Sequence, residues 1–444
     1  MTAPAANRRR RILYMVHSGG FGGALLSLRY LLEQIDKTRY EPVVACVHPI
    51  PEVMDVFRRL GLETIHAPGI TTFSHTTLEW YPLTHPLGGV TTVRELAAFR
   101  RSARATERLV REVKPDLVHL NSLVFGAAAA GAKAAGAPVV WHIRENAAPG
   151  HLGVRRGLQA RWLKRWGDRV IFISNDDRRA LGGEEYGIVI HNFVDHGRFD
   201  RAIDGAPVRE ELGLPAGAKV ALFFGGMNTI KGAHVFLQAV RLAKETVPGL
   251  HAVIAGAVTP TSSSLVARTA RAVLPLLGGG TERQRFMKLY GGMEDFVHLL
   301  PFRHDPERLL AAADVAVIPF IDPHFARPAI EAAAMGTPVV ASDVGGVNEL
   351  VEHERTGLLV PARDPRALAD GIARVLNDPA LAARFGEAGY RMSLERFGAA
   401  QGIARVQAVY DDLLGEPAPA SADDAGAQSS PAASGDWRER NPAD

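Results

Sequence analysis

The feature that most constrains this chain is a succession of short apolar runs, each bounded by turn residues, that alternates with longer amphipathic stretches and then begins again. Residues 12–16, 42–47, 117–120, 138–143, 170–173 and 188–190 predict buried strands with helices between them. Alternation of that kind is the mark of a parallel sheet with helices packed on it. After a polar stretch at 192–217 the pattern restarts with 220–224, 252–255, 315–318, 339–341 and 358–360. Two doubly wound α/β units in tandem follow, and the length of 444 residues suits them. Residues 368–414 predict mostly helix. No repeat of fixed short period is present.

Composition then excludes several classes. Apolar residues make up 47% of the chain and charged residues 22%, so substantial cores form and wholesale disorder is ruled out. Cys46 is the single cysteine, which removes intramolecular disulfides and Cys-rich zinc modules and points to a reducing, cytoplasmic compartment. The most apolar long stretch, 124–141, is mainly Ala and Gly and carries Lys133, so no transmembrane helix is expected. The apolar run after Arg8 to Arg11 stops near Gly19, too short for a signal peptide.

Charge is distributed unevenly. Residues 1–195 carry 26 Lys and Arg against 18 Asp and Glu, whereas the remainder carries 25 against 30. Residues 416–444 contain no Leu, Ile, Val or Phe, and a segment of that composition buries too little to offset its ordering entropy. A disordered tail is expected there. Residues 69–93, rich in Thr, His and Pro, predict a long loop, and 259–296, with Gly278 to Gly280 between two helical patterns, predict an inserted helical hairpin.

Three motifs carry chemistry. The first strand runs into His17-Ser18-Gly19-Gly20-Phe21-Gly22-Gly23 and an amphipathic helix, a turn that lets backbone N–H groups approach a phosphate. A dinucleotide site would also need an acid at the end of the second strand, where Cys46-Val47-His48-Pro49 has none, so an NAD-dependent enzyme is disfavoured. The second unit opens in the same way, with Gly225-Gly226-Met227-Asn228-Thr229-Ile230-Lys231-Gly232 leading into a helix, and Lys231 can put its ammonium beside a diphosphate. P-loop spacing is absent. Last, Phe325-Ala326-Arg327-Pro328 starts a helix that Gly336 ends, with N–H groups of Ala326 and Arg327 facing an anion and Glu331 one turn in, able to accept two ribose hydroxyls. Taken singly, each has a plain structural reading: a glycine turn, a solvated helix-cap lysine, and a glutamate favoured by the helix dipole.

Together these residues resemble the large family of nucleotide-sugar-dependent, mostly retaining glycosyltransferases with the GT-B fold, which includes sucrose synthases and bacterial mannosyl- and glucosyltransferases. The resemblance covers roughly residues 11–414. Its most specific part is 325–349, where a glutamate-bearing helix is followed by Gly336-Thr337-Pro338-Val339-Val340-Ala341 and Gly345-Gly346-Val347-Asn348-Glu349. The resemblance implies that Glu331 binds the donor ribose and Lys231 the donor diphosphate. Three positions depart from the family pattern. Pro323 stands where the first glutamate of the E-x7-E motif belongs, with Asp322 one place off. Gly226 stands where an arginine accompanies the lysine, with Arg327 an alternative source of that charge. Arg144 aligns with the family histidine after the fifth strand, and His142 shares its strand face, so either occupies the catalytic position.

The expected organisation is a flexible basic arm over 1–10, an acceptor-side Rossmann-like domain over 11–191, a linker over 192–217, a nucleotide-sugar-binding Rossmann-like domain over 218–396, a C-terminal helix over 397–415 and a disordered tail over 416–444. The two domains are expected to face each other across a cleft. The expected activity is hexosyl transfer from a nucleotide-diphosphate sugar, UDP first and GDP second, to a cell-envelope glycan or lipid-linked acceptor in polysaccharide biosynthesis. The alternatives are a GT-B epimerase or a non-catalytic nucleotide-binding scaffold. The candidate site comprises Lys231, His142 and Arg144 as catalytic groups and Gly22, Gly23, Gly226, Arg327 and Glu331 as nucleotide-binding groups. The sugar nucleotide acts as co-substrate, no other cofactor or metal is expected, and no nucleic-acid motif is present. Residues 155–169 interleave six Lys and Arg with Leu158, Trp162 and Trp166, which reads either as a core helix with a solvated basic face or as a helix lying on an anionic membrane at the inner face of the cell.

Overall fold

The computed structural model describes residues 8–17, 22–73, 86–146, 153–258 and 282–415. The expectations for most of the basic arm, for Ser18 to Phe21 of the first glycine turn, for the first part of the inserted hairpin and for the tail lie outside the described residues.

The apolar runs become strands of two sheets. β1 (Arg10–Val16), β2 (Tyr40–Cys46), β3 (Glu63–His66), β4 (Leu117–Leu120), β5 (Val139–Ile143), β6 (Arg169–Phe172) and β7 (Gly187–Val189) form the first, in the order β3-β2-β1-β4-β5-β6-β7. β8 (Lys219–Phe223), β9 (Leu250–Val258), β10 (Val297–Pro301), β11 (Val315–Ile318), β12 (Val339–Ser342) and β13 (Gly357–Val360) form the second, in the order β10-β9-β8-β11-β12-β13. Every strand pairing is parallel, from β1 with β2 to β8 with β9. Parallel neighbours need crossovers, and helices supply them, giving the two doubly wound units read from the sequence. In each sheet the strand order reverses once, between β1 and β4 and between β8 and β11, and at such a point the diverging connections leave a crevice at the carboxyl ends of the strands.

Two strands and one helix differ from expectation. β3 is a half-exposed edge strand with one aliphatic residue, Ile65, so it gives no apolar run to detect. β10 starts directly after the stretch read as an inserted hairpin, of which the helix Glu282–Tyr290 is described. Of the long loop expected over 69–93, residues 74–85 lie outside the described residues, and the last part is helix instead, within Pro86–Val113. Proline suits a first helical turn, and Gly88 and Gly89 just after it hide the period in the sequence.

The helix Val154–Trp166 settles its apolar face inward. Trp162 packs on Phe73 and Phe99 with ring centroids 5.0 Å away in both cases, and Leu163 is fully buried. Its exposed positions are Val154, Gly157, Arg161, Lys164 and Arg165. Among the described residues no helix is long and apolar enough to cross a membrane.

The chain crosses between the units twice, side by side. Val194 N donates to Phe397 O at 2.9 Å and Ala399 N donates to Val194 O at 3.1 Å. After the second crossing the helix Ala399–Leu414 returns to the first unit, where Ile403, Val406 and Tyr410 share one core with Ile12, Tyr14 and Val16 of β1. Residues 192–217 contribute Phe199 and Val208 to the core of the second unit.

Candidate active site

The second unit supplies the cationic wall. The segment after β8 turns back at Gly226, whose φ of +58° is left-handed and where an added Cβ would stand 2.3 Å from Gly256 O. Only glycine fits that backbone, so an arginine at 226 is sterically barred. Asn228 Oδ1 accepts the Lys231 N–H at 3.1 Å, and Ile321 N donates to Ile230 O at 3.0 Å, tying this segment to the exit of β11. Gly232, at φ +78°, lets the next helix start against Pro319 O. Lys231 is half-buried, its Nζ has no hydrogen-bond or ion-pair partner among the described residues, and burial pushes its pKa down from the usual lysine value. An ammonium in that state favours an incoming anion.

The helix Arg327–Met335 begins at the carboxyl end of the neighbouring β11, with Ala326 as a cap residue that offers no side-chain bond. Pro328 occupies its first turn and Gly336, left-handed at φ +70°, ends it, as the sequence pattern requires. Arg327 and Glu331 are both buried and bind each other: Arg327 Nη2 lies 2.8 Å from Glu331 Oε1 and Nε 3.2 Å from the same oxygen. Arg327 also donates to Ser27 Oγ at 3.1 Å and lies over the Tyr30 ring at 4.9 Å. Its charge is therefore already answered by Glu331, and it is not a free second cation. At the departure from the family pattern, the Pro323 carbonyl accepts from Asn146 Nδ2 of the first unit at 2.5 Å, and Asp322 pairs with Arg363 at 2.7 Å.

The first unit supplies the facing wall. Gly22 and Gly23 open the helix Gly23–Gln34; a Cβ at Gly22 would meet open space, and one at Gly23 would be 3.9 Å from Arg327 Cδ. Asn121, just past β4, donates from Nδ2 to Ala24 O at 3.0 Å and accepts from Arg144 Nε at 3.0 Å. Arg144 Nη1 donates to Asn192 Oδ1 at 2.6 Å. His142 sits two residues deeper on β5, fully buried, with neither ring nitrogen partnered. Its ring lies 5.4 Å from that of His119, which in turn holds the Tyr410 hydroxyl at 2.8 Å. Burial, reinforced by the Arg144 guanidinium, pushes both histidines well below the usual imidazole range. Of the two β5 candidates, Arg144 thus stands at the cleft and His142 in the core under the last helix.

Sequence reasoning missed Asn121 and Asn192, although both immediately follow predicted strands, where the ligand crevice of such a sheet lies. It also gave Glu349 no role. In the fold Glu349 reaches the first unit, accepting from Asn175 N at 2.8 Å, Asn175 Nδ2 at 3.0 Å and Asp176 N at 2.9 Å. Among the described residues no group of three or more His, Cys, Asp or Glu is placed to hold a metal ion.

Comparison with known proteins assigns both halves. The family model for Glycosyl transferase 4-like domain matches residues 22–191, and that for Glycosyl transferases group 1 matches residues 206–392. This chain belongs to the GT-B glycosyltransferases. Its glycosyltransferase relatives include the D-inositol 3-phosphate glycosyltransferase of Thermobispora bispora, 34% identical over 212 residues, 47% of this chain and 46% of that protein. The enzyme of the same name from Streptomyces bingchenggensis is 32% identical over 261 residues, 56% of this chain and 53% of that protein. The chain thus spans about half the length of the curated relatives it matches. Solved structures of the fold include Anabaena Alr3699/HepE in complex with UDP-glucose, with a TM-score of 0.71 at 22% identity, covering 91% of this chain and 100% of that one. Sucrose-phosphate synthase of Thermosynechococcus elongatus has a TM-score of 0.66 at 21% identity, covering 92% of this chain and 100% of that one. In this chain the carboxyl ends of the two sheets thus bring Lys231 and the start of helix Arg327–Met335 from the second unit and Gly22, Gly23, Asn121 and Arg144 from the first.

Proposed function

We propose that the chain transfers a hexose from a nucleotide-diphosphate sugar, with UDP ahead of GDP, to a cell-envelope glycan or lipid-linked acceptor, with retention of configuration. The observation that carries this reading is the half-buried Lys231 ammonium, without a partner among the described residues, together with the uncapped start of helix Arg327–Met335, the two following the neighbouring strands β8 and β11. As the bond between the anomeric carbon and the diphosphate oxygen breaks, negative charge grows on the leaving group. A fixed ammonium and helix N–H groups hold that charge without reorganising. Glu331 keeps Oε2 for the donor ribose while Oε1 answers Arg327. UDP as first choice is supported by HepE, whose structures are complexes with UDP and with UDP-glucose. The names of the relatives put inositol 3-phosphate on the acceptor panel.

A panel of UDP- and GDP-hexoses, followed by mass spectrometry with and without acceptors, tests the reading. Acceptor-dependent release of UDP that persists in EDTA is expected. Donor consumed without acceptor would make the chain an epimerase, and binding without turnover would make it a scaffold, the reading that Pro323 and Gly226 favour.

The reading includes contact with the cytoplasmic face of an anionic membrane. It is supported by one basic surface on the first unit: Arg94, Arg100, Arg101 and Arg104 are exposed on helix Pro86–Val113, beside Val93 at 67% and Leu96 at 43% exposure. Such a face attracts anionic lipid by about 1 kcal/mol per cation. Sedimentation with anionic vesicles at low salt should remove the protein from solution, and neutral vesicles should leave it there. Equal recovery from both would refute membrane contact.

A further inference from the structure

Arg144 is a buried cation that has no ion-pair partner among the described residues. Its Nε and Nη1 donate to the side-chain oxygens of Asn121 and Asn192, which are neutral, and its Nη2 is buried with no partner. No carboxylate lies within ion-pair distance of the guanidinium among the described residues. The adjacent Glu145 turns its carboxylate back, accepting from Leu123 N at 3.0 Å and from Arg144 N at 3.2 Å. An unpaired buried charge is costly, and it is tolerated where an opposite charge arrives to meet it.

Contacts trace where that charge would arrive. Asn121 holds Arg144 with one end and Ala24 O with the other, and next to Ala24 a Cβ on Gly23 would touch Arg327 Cδ at 3.9 Å. Arg144 thus sits beside the starts of the two helices that face each other across the cleft, and burial lowers its pKa, with Glu145 and Tyr410 opposing and the Arg327 guanidinium reinforcing the shift. At the ends of β8 and β11 position 226 admits only glycine and Arg327 is paired with Glu331, which leaves Lys231 as the unpaired cation among the described residues of those two segments.

We propose that Arg144 is the second cation of the donor diphosphate site, its Nη2 donating across the cleft to a phosphate oxygen in place of the loop arginine that Gly226 excludes. This rests on the reading of the donor as a nucleotide-diphosphate sugar. A guanidinium suits the task because its planar fork stays charged and keeps its two asparagine bonds while Nη2 points at the ligand.

The test is calorimetric binding of UDP, UMP and uridine, and of the GDP series, to the full chain and to its Arg144→Gln and Arg144→Lys variants, each checked by thermal melting. The wild type should prefer the diphosphate to the nucleoside. Arg144→Gln should lose on the order of tenfold or more in diphosphate affinity with nucleoside affinity unchanged, and Arg144→Lys should fall between them. The affinity ratio is insensitive to a fraction of inactive protein, so a less stable variant still answers. An unchanged ratio in Arg144→Gln, with turnover lost, would overturn the proposal and assign Arg144 to the sugar or the acceptor. Failure of the wild type to bind either diphosphate would instead overturn the donor reading itself.

Discussion

At the scale of single residues, the proposed transfer gives Lys231 and Glu331 separable jobs. In it Lys231 faces charge that increases during bond breaking, so its contribution is greater in the transition state than in the ground state. Lys231→Ala should lower kcat on the order of a hundredfold under saturating donor. In the same proposal Glu331 holds a ribose that does not change, so Glu331→Gln should chiefly raise the donor KM. Full kcat in the lysine variant with none in the glutamine variant would reverse the two assignments. Glu331→Ala is a different experiment: it strands the buried Arg327 guanidinium and should cost about 3 kcal/mol of stability by urea unfolding. His119 and His142 make a second residue-scale statement. Both are held neutral by burial, with pKa values well below that of the unfolded chain, so only the unfolded state takes up their protons. Their contribution is complete above about pH 6.5 and is lost as pH falls below it, by up to about 1.4 kcal/mol per pH unit for each ring. Urea titrations from pH 7.5 to 5 should show this slope, and it should flatten in His119→Gln/His142→Gln; an equally steep variant would place the acid sensitivity elsewhere.

At the scale of elements, the short helix Asn175–Ala180 of the first unit starts with its first N–H groups bound by Glu349 of the second. A carboxylate there meets both the unpaired donors and the positive end of the helix. Glu349→Ala should cost about 2 kcal/mol and, because the bonds span two units, enlarge the radius of gyration measured by small-angle scattering. Unaltered scattering and melting would show that other contacts hold the units. This bond also marks the limit of what was legible in the sequence. Strands buried on both faces announce themselves as apolar runs, and Lys231 and Glu331 stand at helix starts that glycine and proline punctuate. β3, with Glu63, Thr64, Ile65 and His66 at a sheet edge, carries no such run. The pairing of Arg327 with Glu331, the missing partner of Arg144 and the reach of Glu349 depend on distances between side chains of separate elements, which no local pattern encodes.

At the scale of the whole molecule, the first unit is completed by the far end of the chain. Ile403, Val406 and Tyr410 cover Ile12, Tyr14 and Val16, while Asp411 accepts from Arg39 at 2.6 Å and from Tyr40. Ending the chain at Gly398 should therefore strip part of one sheet face of its cover. Each large apolar side chain so exposed costs about 1.5–3 kcal/mol. Aggregation, or dye binding to exposed apolar surface, should accompany the truncation, and a soluble product with an unchanged melting profile would contradict the packing described. The same return of the chain sets an order of events during synthesis. β7 ends at Val189, but the helix that closes over β1 lies at Ala399–Leu414. At about 5–20 residues per second, the intervening roughly 200 residues take a ribosome about 10–40 s. For that interval the first unit has its complete sheet and a partly uncovered apolar face, and it becomes a finished domain only after the second has been made.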